Sequence, residues 1–124
     1  MVSRVDNFKD LRIWQESITL AKLVYMLADQ LPEKERYGLR SQLTRACVSV
    51  ASNIAEGSRR KGTKDLVNFL GIALGSLSET ETQLIIAREV GFLTEEQILP
   101  AISIIDSVSR GIVKLRQNLE KRTA

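Results

Sequence analysis

The sequence predicts an all-α protein that folds as an antiparallel, up-down-up-down four-helix bundle. Apolar residues recur at alternating steps of three and four in four long segments, which is the spacing of an amphipathic helix. Three short breaks separate these segments, and short turns make consecutive helices antiparallel neighbours. The 124 residues suffice for one hydrophobic core, so we expect a single domain over residues 1–124. The predicted helices span about residues 8–31, 35–61, 64–90 and 95–121.

The first predicted helix begins after Asn7, whose side chain can cap the amides of the first turn, and Asp10 adds favourable negative charge there. Pro32 ends this helix, because the residue before a proline is disfavoured in the α conformation. One stripe of the helix is expected to face the core, and it contains Leu11, Trp14, Ile18, Ala21, Tyr25 and Ala28.

A second apolar set on helix 1 lies more than a quarter turn away from that stripe. Because one stripe is enough for a bundle core, the second set favours a contact between subunits, and a helix buried over a broad face is the alternative. The members of this second set are Ile13, Leu20, Val24, Leu27 and Leu31.

Helices 2 and 3 repeat the apolar spacing. Gly62 is expected to close helix 2 in a left-handed conformation, and Thr63 to cap helix 3. Gly71 and Gly75 lie four residues apart, so another backbone could approach that face of helix 3 closely. The expected inward residues of helix 2 are Leu39, Leu43, Ala46, Val50 and Ile54. Those of helix 3 are Leu66, Leu70, Ala73, Leu77, Leu84 and Ala87.

Helix 4 has clear boundary signals. Gly91 is expected to end helix 3, with Phe92 folding back onto it. Thr94 and Gln97 form a capping-box pattern, and Pro100 inside the apolar pattern predicts a kink or a late start. The expected inner stripe of helix 4 contains Ile98, Ile102, Ile105, Ile112 and Leu119.

Composition excludes several classes of protein. Apolar residues make up 44% and charged residues 27%, which is typical of a folded globular domain and not of a disordered chain. No apolar run is long enough to cross a membrane, and the N-terminus lacks the apolar stretch of a signal peptide, so we expect no membrane partner. Cys47 is the single cysteine, which excludes an internal disulfide and favours a cytoplasmic location.

The sequence offers little to a catalytic or metal site. It contains no histidine, which removes the commonest general base and excludes the Glu-x-x-His pairs of di-iron bundles. Cys47 lies among small residues without an activating histidine, so we expect a packed thiol and not a nucleophile. The sequence therefore predicts no enzymatic activity, no metal and no cofactor.

A few polar residues stand out on the inner helices. Asn53 falls at the edge of the inner stripe of helix 2, close to Glu56, and Glu81 and Gln83 lie on helix 3. A polar side chain near a core costs free energy unless it is hydrogen-bonded. Structural or intersubunit hydrogen bonds are the main interpretation, and contact with a ligand is the alternative.

Positive charge is concentrated at one end of the predicted bundle. That end collects residues 1–12, 54–68 and 110–124, which contain twelve basic and five acidic side chains, although the net charge of the whole chain is only +3. Such an end favours an anionic partner such as RNA or DNA, bound through its phosphates. The candidate binding residues are Arg4, Lys9, Arg12, Arg59, Arg60, Lys61, Lys64, Arg110, Lys114 and Lys121.

A structural explanation competes with this one. Helix dipoles favour cations at helix C-termini by about 0.3–1 kcal/mol each, which accounts for the basic residues that end helices 2 and 4. The dipoles do not account for four basic residues at helix N-termini, which are Arg4, Lys9, Arg12 and Lys64. The sequence therefore allows two interpretations of these basic residues, which are solvated helix ends and a site for a polyanion. We expect no aromatic stacking platform among the basic residues, so sequence-specific reading of single-stranded bases is not indicated.

Four sequence motifs add a further indication. They are Phe8-x-x-Leu11-x-x-Trp14, Leu31-Pro32-x-x-Glu35-x-Tyr37-Gly38-Leu39-x-x-Gln42-x-x-Arg45-Ala46, Ser49-Val50-x-x-Asn53-Ile54-Ala55-Glu56-Gly57 and Phe69-Leu70-x-Ile72-Ala73-x-Gly75-Ser76-Leu77-x-Glu79. Through these motifs, about residues 8–93 resemble a bacterial four-helix bundle family, named after proteins encoded in intervening sequences of 23S ribosomal RNA genes.

The resemblance implies a homopentameric ring in which the motif residues have structural roles. The family is similar in fold to the accessory variability protein of diversity-generating retroelements, a basic pentamer that works with a reverse transcriptase and nucleic acid. We therefore expect a non-enzymatic homo-oligomer that binds RNA or DNA backbones through its basic end. The alternative is an interaction scaffold for a protein such as a reverse transcriptase or another polymerase, with no direct nucleic-acid contact.

Overall fold

The structure is a computed structural model that describes residues 7–123, and these residues contain four α-helices and no β-strand. The all-α prediction is confirmed. The helices are α1 Arg12–Ala28, α2 Leu39–Arg59, α3 Thr63–Glu89 and α4 Glu95–Thr123. Two short 3₁₀ helices, Phe8–Asp10 and Glu33–Glu35, precede α1 and α2.

The four helices are arranged so that each packs against two others. α1 contacts α2 and α4, and α3 contacts the same two helices. The contact between α2 and α3 is the most extensive. Two hydrogen bonds define its register: Ser76 Oγ donates to Ser49 Oγ at 2.8 Å, and Gln83 Nε2 donates to Gln42 Oε1 at 3.4 Å.

Two hydrogen bonds between side chains join α4 to α1 and to the turn that follows α1. Gln97 Nε2 donates to Gln30 Oε1 at 2.6 Å, and Ser107 Oγ donates to Glu16 Oε1 at 2.8 Å. In each pair of hydrogen bonds, the residue with the higher number in the first segment bonds to the residue with the lower number in the second segment.

The core is one cluster of aliphatic side chains from all four helices. The inner stripes predicted for helices 2, 3 and 4 are confirmed, except that Leu39 and Ile102 are only partly buried. Nine of the large side chains in this cluster are almost wholly buried: Leu20, Leu43, Ile54, Leu70, Leu77, Leu84, Ile98, Ile105 and Ile112.

The predicted orientation of helix 1 is wrong. The set assigned to a subunit contact forms the core, since Leu20 and Val24 have no exposed surface, whereas Ile18 and Tyr25 of the predicted core stripe are 37% and 49% exposed. Both sets have helical spacing, so spacing alone could not rank them. Larger aliphatic side chains gain more free energy from burial, and they occupy the face between α2 and α4.

The starts of α1 and α2 also differ from prediction. The Asn7 side chain accepts a hydrogen bond from the Lys9 amide at 3.0 Å and so caps the first 3₁₀ helix, while α1 begins only after Leu11. α2 begins at Leu39, whose amide donates to Glu35 Oε1 at 3.0 Å. Glu35 is therefore a cap, and not the first residue of the helix.

The turn between α2 and α3 is not closed by a left-handed glycine. Gly62 has a φ of −93° and is the N-cap of α3, and Thr63 is the first helical residue and makes no capping bond through its side chain. By contrast, Gly91 has a φ of 86°, as predicted for the residue that ends α3. The amide of Phe92 donates back to the Ala87 carbonyl at 2.9 Å.

The start of α4 is a capping box, as predicted. The Thr94 amide donates to Gln97 Oε1 at 2.8 Å, and the Gln97 amide donates to Thr94 Oγ1 at 3.1 Å. Pro100 lies inside α4 and does not delay its start. Pro100 is the sixth residue of the helix, beyond the first turn, so it leaves the Glu96 carbonyl without its usual intrahelical donor.

Gly57 is a point of close approach between α2 and α3. A Cβ atom at this position would lie 2.8 Å from the Phe69 Cβ and 3.1 Å from the Leu66 Cδ1. The close approach of another backbone that was predicted at Gly71 and Gly75 does not occur among residues 7–123. A Cβ at Gly75 would meet nothing within 4 Å, and one at Gly71 would meet only the Arg116 guanidinium, at 3.5 Å.

We expect Gly57→Ala to lower the free energy of unfolding by about 1–3 kcal/mol, because the added methyl group overpacks the contact with Phe69. Gly75→Ala is the matched control, since it lies in open space on α3 and should gain up to about 1 kcal/mol of helix propensity. Urea denaturation at low protein concentration measures both. Equal effects of the two substitutions would contradict the close approach.

Candidate nucleic-acid interface

The three basic stretches of the sequence are neighbours in the structure. The Arg59 guanidinium at the end of α2 lies over the Phe8 ring, and Gly57 is packed against Leu66 near the start of α3. Gly111 of α4 is packed against Ile13 of α1 in the same way. Residues 7–12, 54–68 and 110–122 contain eleven basic and four acidic side chains. We call these three ranges the basic end.

Three of the predicted binding residues are held in ion pairs. Arg12 Nε lies 2.9 Å from Glu16 Oε2, and Arg60 Nη2 lies 3.0 Å from Glu56 Oε2. Arg110 pairs with Asp106. All three pairs join residues four apart on one helix, and exposed pairs of this kind contribute only about 0.3–0.5 kcal/mol each. Their charge is partly compensated before any partner binds.

The lysines of the basic end are exposed. Lys61 lies in the turn after α2, Lys64 lies in the first turn of α3, and Lys114 lies on α4. Within the part of the chain that the structure describes, none of these three takes part in an ion pair. Lys9 and Lys121 are also exposed, and Arg4 lies outside the described residues.

Arg116 belongs to the basic end but was not predicted as a binding residue. It is only partly exposed, and its guanidinium packs beside Gly71 of α3. Its Nε atom is buried and has no hydrogen-bond partner among residues 7–123. The absence of a side chain at Gly71 leaves room for this guanidinium, a pairing that periodicity along one helix does not reveal.

Aromatic rings lie among the basic residues, each under a guanidinium group, which is an arrangement that helical spacing did not predict. The Arg59 Cζ lies 5.1 Å from the centroid of Phe8, and the Arg60 Cζ lies 5.0 Å from the centroid of Phe69. Phe8 in turn meets Trp14 edge to face, with 5.2 Å between centroids. Arg59 and Phe8 are 51 residues apart and meet only because the helices pack, whereas Arg60 and Phe69 lie on either side of the turn between α2 and α3. The short turn predicted between helices 2 and 3 was the sequence signal that could have placed Arg60 close to Phe69.

Comparison with known proteins agrees with this fold. The family described as "23S rRNA-intervening sequence protein" matches residues 9–114. The chain belongs to this family. The resemblance inferred from the sequence motifs is therefore confirmed, and the match includes α1, α2 and α3 and most of α4.

A protein of known structure has the same fold. It is a crystal structure of a protein with unknown function from the S23 ribosomal protein family of Bacteroides thetaiotaomicron. The two chains superpose with a TM-score of 0.78 at 23% identity, covering 84% of this chain and 97% of the other. No curated protein matches the sequence.

Polar residues of the sequence motifs form hydrogen bonds within α2 and between α2 and α3. Asn53 Nδ2 donates to the Ser49 carbonyl at 2.8 Å and to Ser49 Oγ at 2.9 Å, and Ser49 also accepts from Ser76. Glu56 pairs with Arg60, and Glu81 is partly buried on α3. Asn53 is thus placed to orient Ser49 toward α3.

The single thiol of the chain is buried and protonated. Cys47 has no exposed surface and donates to the Thr44 carbonyl at 3.3 Å. Burial raises the pKa of the Cys47 thiol to about 11. No group of three carboxylate, thiol or imidazole side chains in the described residues could hold a metal ion, and none of their helices is long and apolar enough to span a membrane.

The raised pKa of Cys47 predicts a pH dependence of stability. Between about pH 9 and pH 11 the unfolded chain loses the thiol proton while the folded chain keeps it, so the free energy of unfolding falls as pH rises through this range. Urea denaturation of the wild type and of Cys47→Ala, at pH 8 and at pH 10.5, isolates this effect from the titration of lysines and tyrosines. Parallel pH dependence in the two proteins would contradict it.

Proposed function

We propose that this family member is a non-enzymatic, cytoplasmic homo-oligomer that binds the backbone of RNA or DNA through its basic end. One observation carries the proposal: three basic stretches, distant in sequence, lie next to one another at the ends of packed helices. Cationic side chains that neutralise phosphates release condensed counterions, which provides most of the affinity in sequence-independent binding.

The proposal includes an antiparallel up-down-up-down topology. Two hydrogen bonds join α2 to α3, and two join α4 to α1 and the turn after it. In both cases the residue numbers rise along one segment as they fall along the other. At the basic end, this order puts the C-termini of α2 and α4 beside the N-termini of α1 and α3. The helix dipoles stabilise cations at the two C-termini and disfavour them at the two N-termini.

The positions of Arg12 and Lys64 favour a bound anion over solvated helix ends. Arg12 is the first residue of α1 and Lys64 is the second residue of α3, and both positions are mildly unfavourable for a cation. Glu16 compensates Arg12, whereas Lys64 has no ion pair among the described residues. A phosphate at this end would compensate Lys64 together with its neighbour Lys61.

We expect Lys61→Glu with Lys64→Glu to weaken binding to a duplex and to lower the slope of log K against log salt by about 1–2, since each lost phosphate contact contributes about 0.9. Lys22→Glu with Lys34→Glu is the matched control, because it changes the net charge equally with exposed lysines outside the basic end. Fluorescence anisotropy across a salt series measures the slopes.

Two results of this experiment contradict the proposal. One is an affinity that does not depend on salt. The other is an equal loss of affinity in both double variants. That result would mean that affinity depends on the net charge of the protein and not on where the charges lie.

Self-association is proposed through the outer face of α3. Ile72, Ile86 and Val90 are 52%, 44% and 56% exposed, and helical spacing places them on one face with Gly75. Beside this face, Gln83 is buried and its Oε1 has no donor within residues 7–123. A second copy that covers the face would bury the apolar side chains and can supply that donor. The family resemblance implies that five copies form a ring.

We expect the wild type to be oligomeric and Ile72→Glu with Ile86→Glu to be monomeric, because two buried carboxylates would destabilise the contact. Tyr37→Glu with Leu99→Glu is the control, since both residues are at least as exposed but lie on other surfaces. Sedimentation velocity distinguishes the two variants. A monomeric wild type at micromolar concentration would rule out the contact.

The same exposed face favours a second candidate function. A helix face that exposes Ile72, Ile86 and Val90, with Glu79 among them by the same spacing, is also suited to binding a different protein. In that case the chain is an interaction scaffold for a partner such as a polymerase. A complex that survives nuclease treatment and high salt, and that Ile72→Glu with Ile86→Glu abolishes, identifies this function instead.

A further inference from the structure

Two adjacent arginines at the basic end are each held over an aromatic ring. Arg59 and Arg60 end α2, and their Cζ atoms lie 5.1 Å from the Phe8 centroid and 5.0 Å from the Phe69 centroid. Both arginines are exposed. Each guanidinium therefore lies over a ring and keeps surface that a ligand can reach, and Arg60 Nη2 also pairs with Glu56 Oε2 at 3.0 Å.

Packing fixes these two pairs before any ligand arrives. Phe8 lies in a 3₁₀ helix capped by Asn7 and meets Trp14 edge to face at 66° between the ring planes. Phe69 is held on α3 by its contact with Gly57. The side chains have already lost conformational freedom in the folded protein, so a ligand that stacks on them pays little further entropy.

A planar cation backed by a ring offers a surface suited to an unpaired base. The guanidinium group is delocalised and more weakly hydrated than an ammonium group, and it stacks on flat π systems. In single strands, bases are free to stack on aromatic side chains and on arginine planes, whereas in a duplex they stack on one another.

We propose that the basic end binds single-stranded RNA or DNA, with unpaired bases stacking on Arg59 and Arg60. This inference rests on the backbone binding proposed above and adds the preferred form of the nucleic acid. The cations then divide into two groups. Lys61, Lys64 and Lys114 act as point charges for phosphates, and the two ring-backed arginines contact bases.

The experiment compares two end-labelled strands of equal length, one of oligothymidine and one fully abasic, so that the number of phosphates is the same. We expect the full-length wild type to bind oligothymidine at least about tenfold more tightly than the abasic strand, in the range measured for stacking of a single base. Arg59→Lys with Arg60→Lys, which keeps both charges, should remove this difference and leave the affinity for the abasic strand within about twofold.

The matched control is Arg36→Lys with Arg45→Lys. Both arginines are exposed and lie outside the basic end. Arg36 also lies over a ring, with its Cζ 5.7 Å from the Tyr37 centroid, so the control tests whether the position of the ring-backed arginine matters. This variant should retain the preference for oligothymidine. Thermal unfolding of both variants establishes that they are folded at the temperature of the measurement.

The possible failures are distinguishable. Equal, salt-dependent binding of the two strands overturns base stacking and leaves backbone binding intact. Tighter binding of a duplex with the same number of phosphates also overturns the preference for single strands. If neither strand nor the duplex binds, the proposed function and this inference both fail.

Discussion

The close contact between α2 and α3 is the constraint on which the rest of the structure depends. Gly57 permits this contact because the space that a Cβ would occupy is filled by Phe69 and Leu66. Farther along, the hydrogen bond between Ser49 and Ser76 fixes the same register. Together they determine where the turn between the helices falls, and hence where its arginines and lysines project.

The register also explains why charge and aromatic rings occur together at the basic end. A helix that ended one turn earlier would leave Arg60 short of Phe69, and a shifted α1 would move Phe8 away from Arg59. The arginines are therefore tied to the packing of the bundle, whereas the lysines of the turn are attached to it only through their backbone. This difference separates the rigid part of the surface from the adaptable part. In the proposed binding mode, an anion would draw in the lysines, whereas it would meet the arginines already in place.

The sequence predicted the fold class, the inner faces of three helices and the boundaries of α4, because each depends on local spacing or local caps. Thr94 and Gln97, which form the capping box, are only three residues apart. Gly91 was predicted to end α3 because it follows the last apolar residues of that one helix. The orientation of helix 1 failed because it carries two apolar sets of equal periodicity. Only packing against α2 and α4 determines which set is buried.

The candidate site was predicted in part for the same reason. Basic stretches can be assigned to one end of a bundle once the order of the helices is assumed. Pairs such as Arg59 with Phe8, or Arg116 with Gly71, depend on contacts between helices that are distant in sequence. Spacing within one helix contains no information about them.

The edge-to-face contact between Phe8 and Trp14 has a practical consequence. Trp14 is the single tryptophan of the chain, and it touches the ring that carries the Arg59 guanidinium. Indole emission is sensitive to polarity and charge in its immediate surroundings. The native protein thus carries an intrinsic optical reporter beside one of its arginine–aromatic pairs, and events at that place can be followed without attaching a dye.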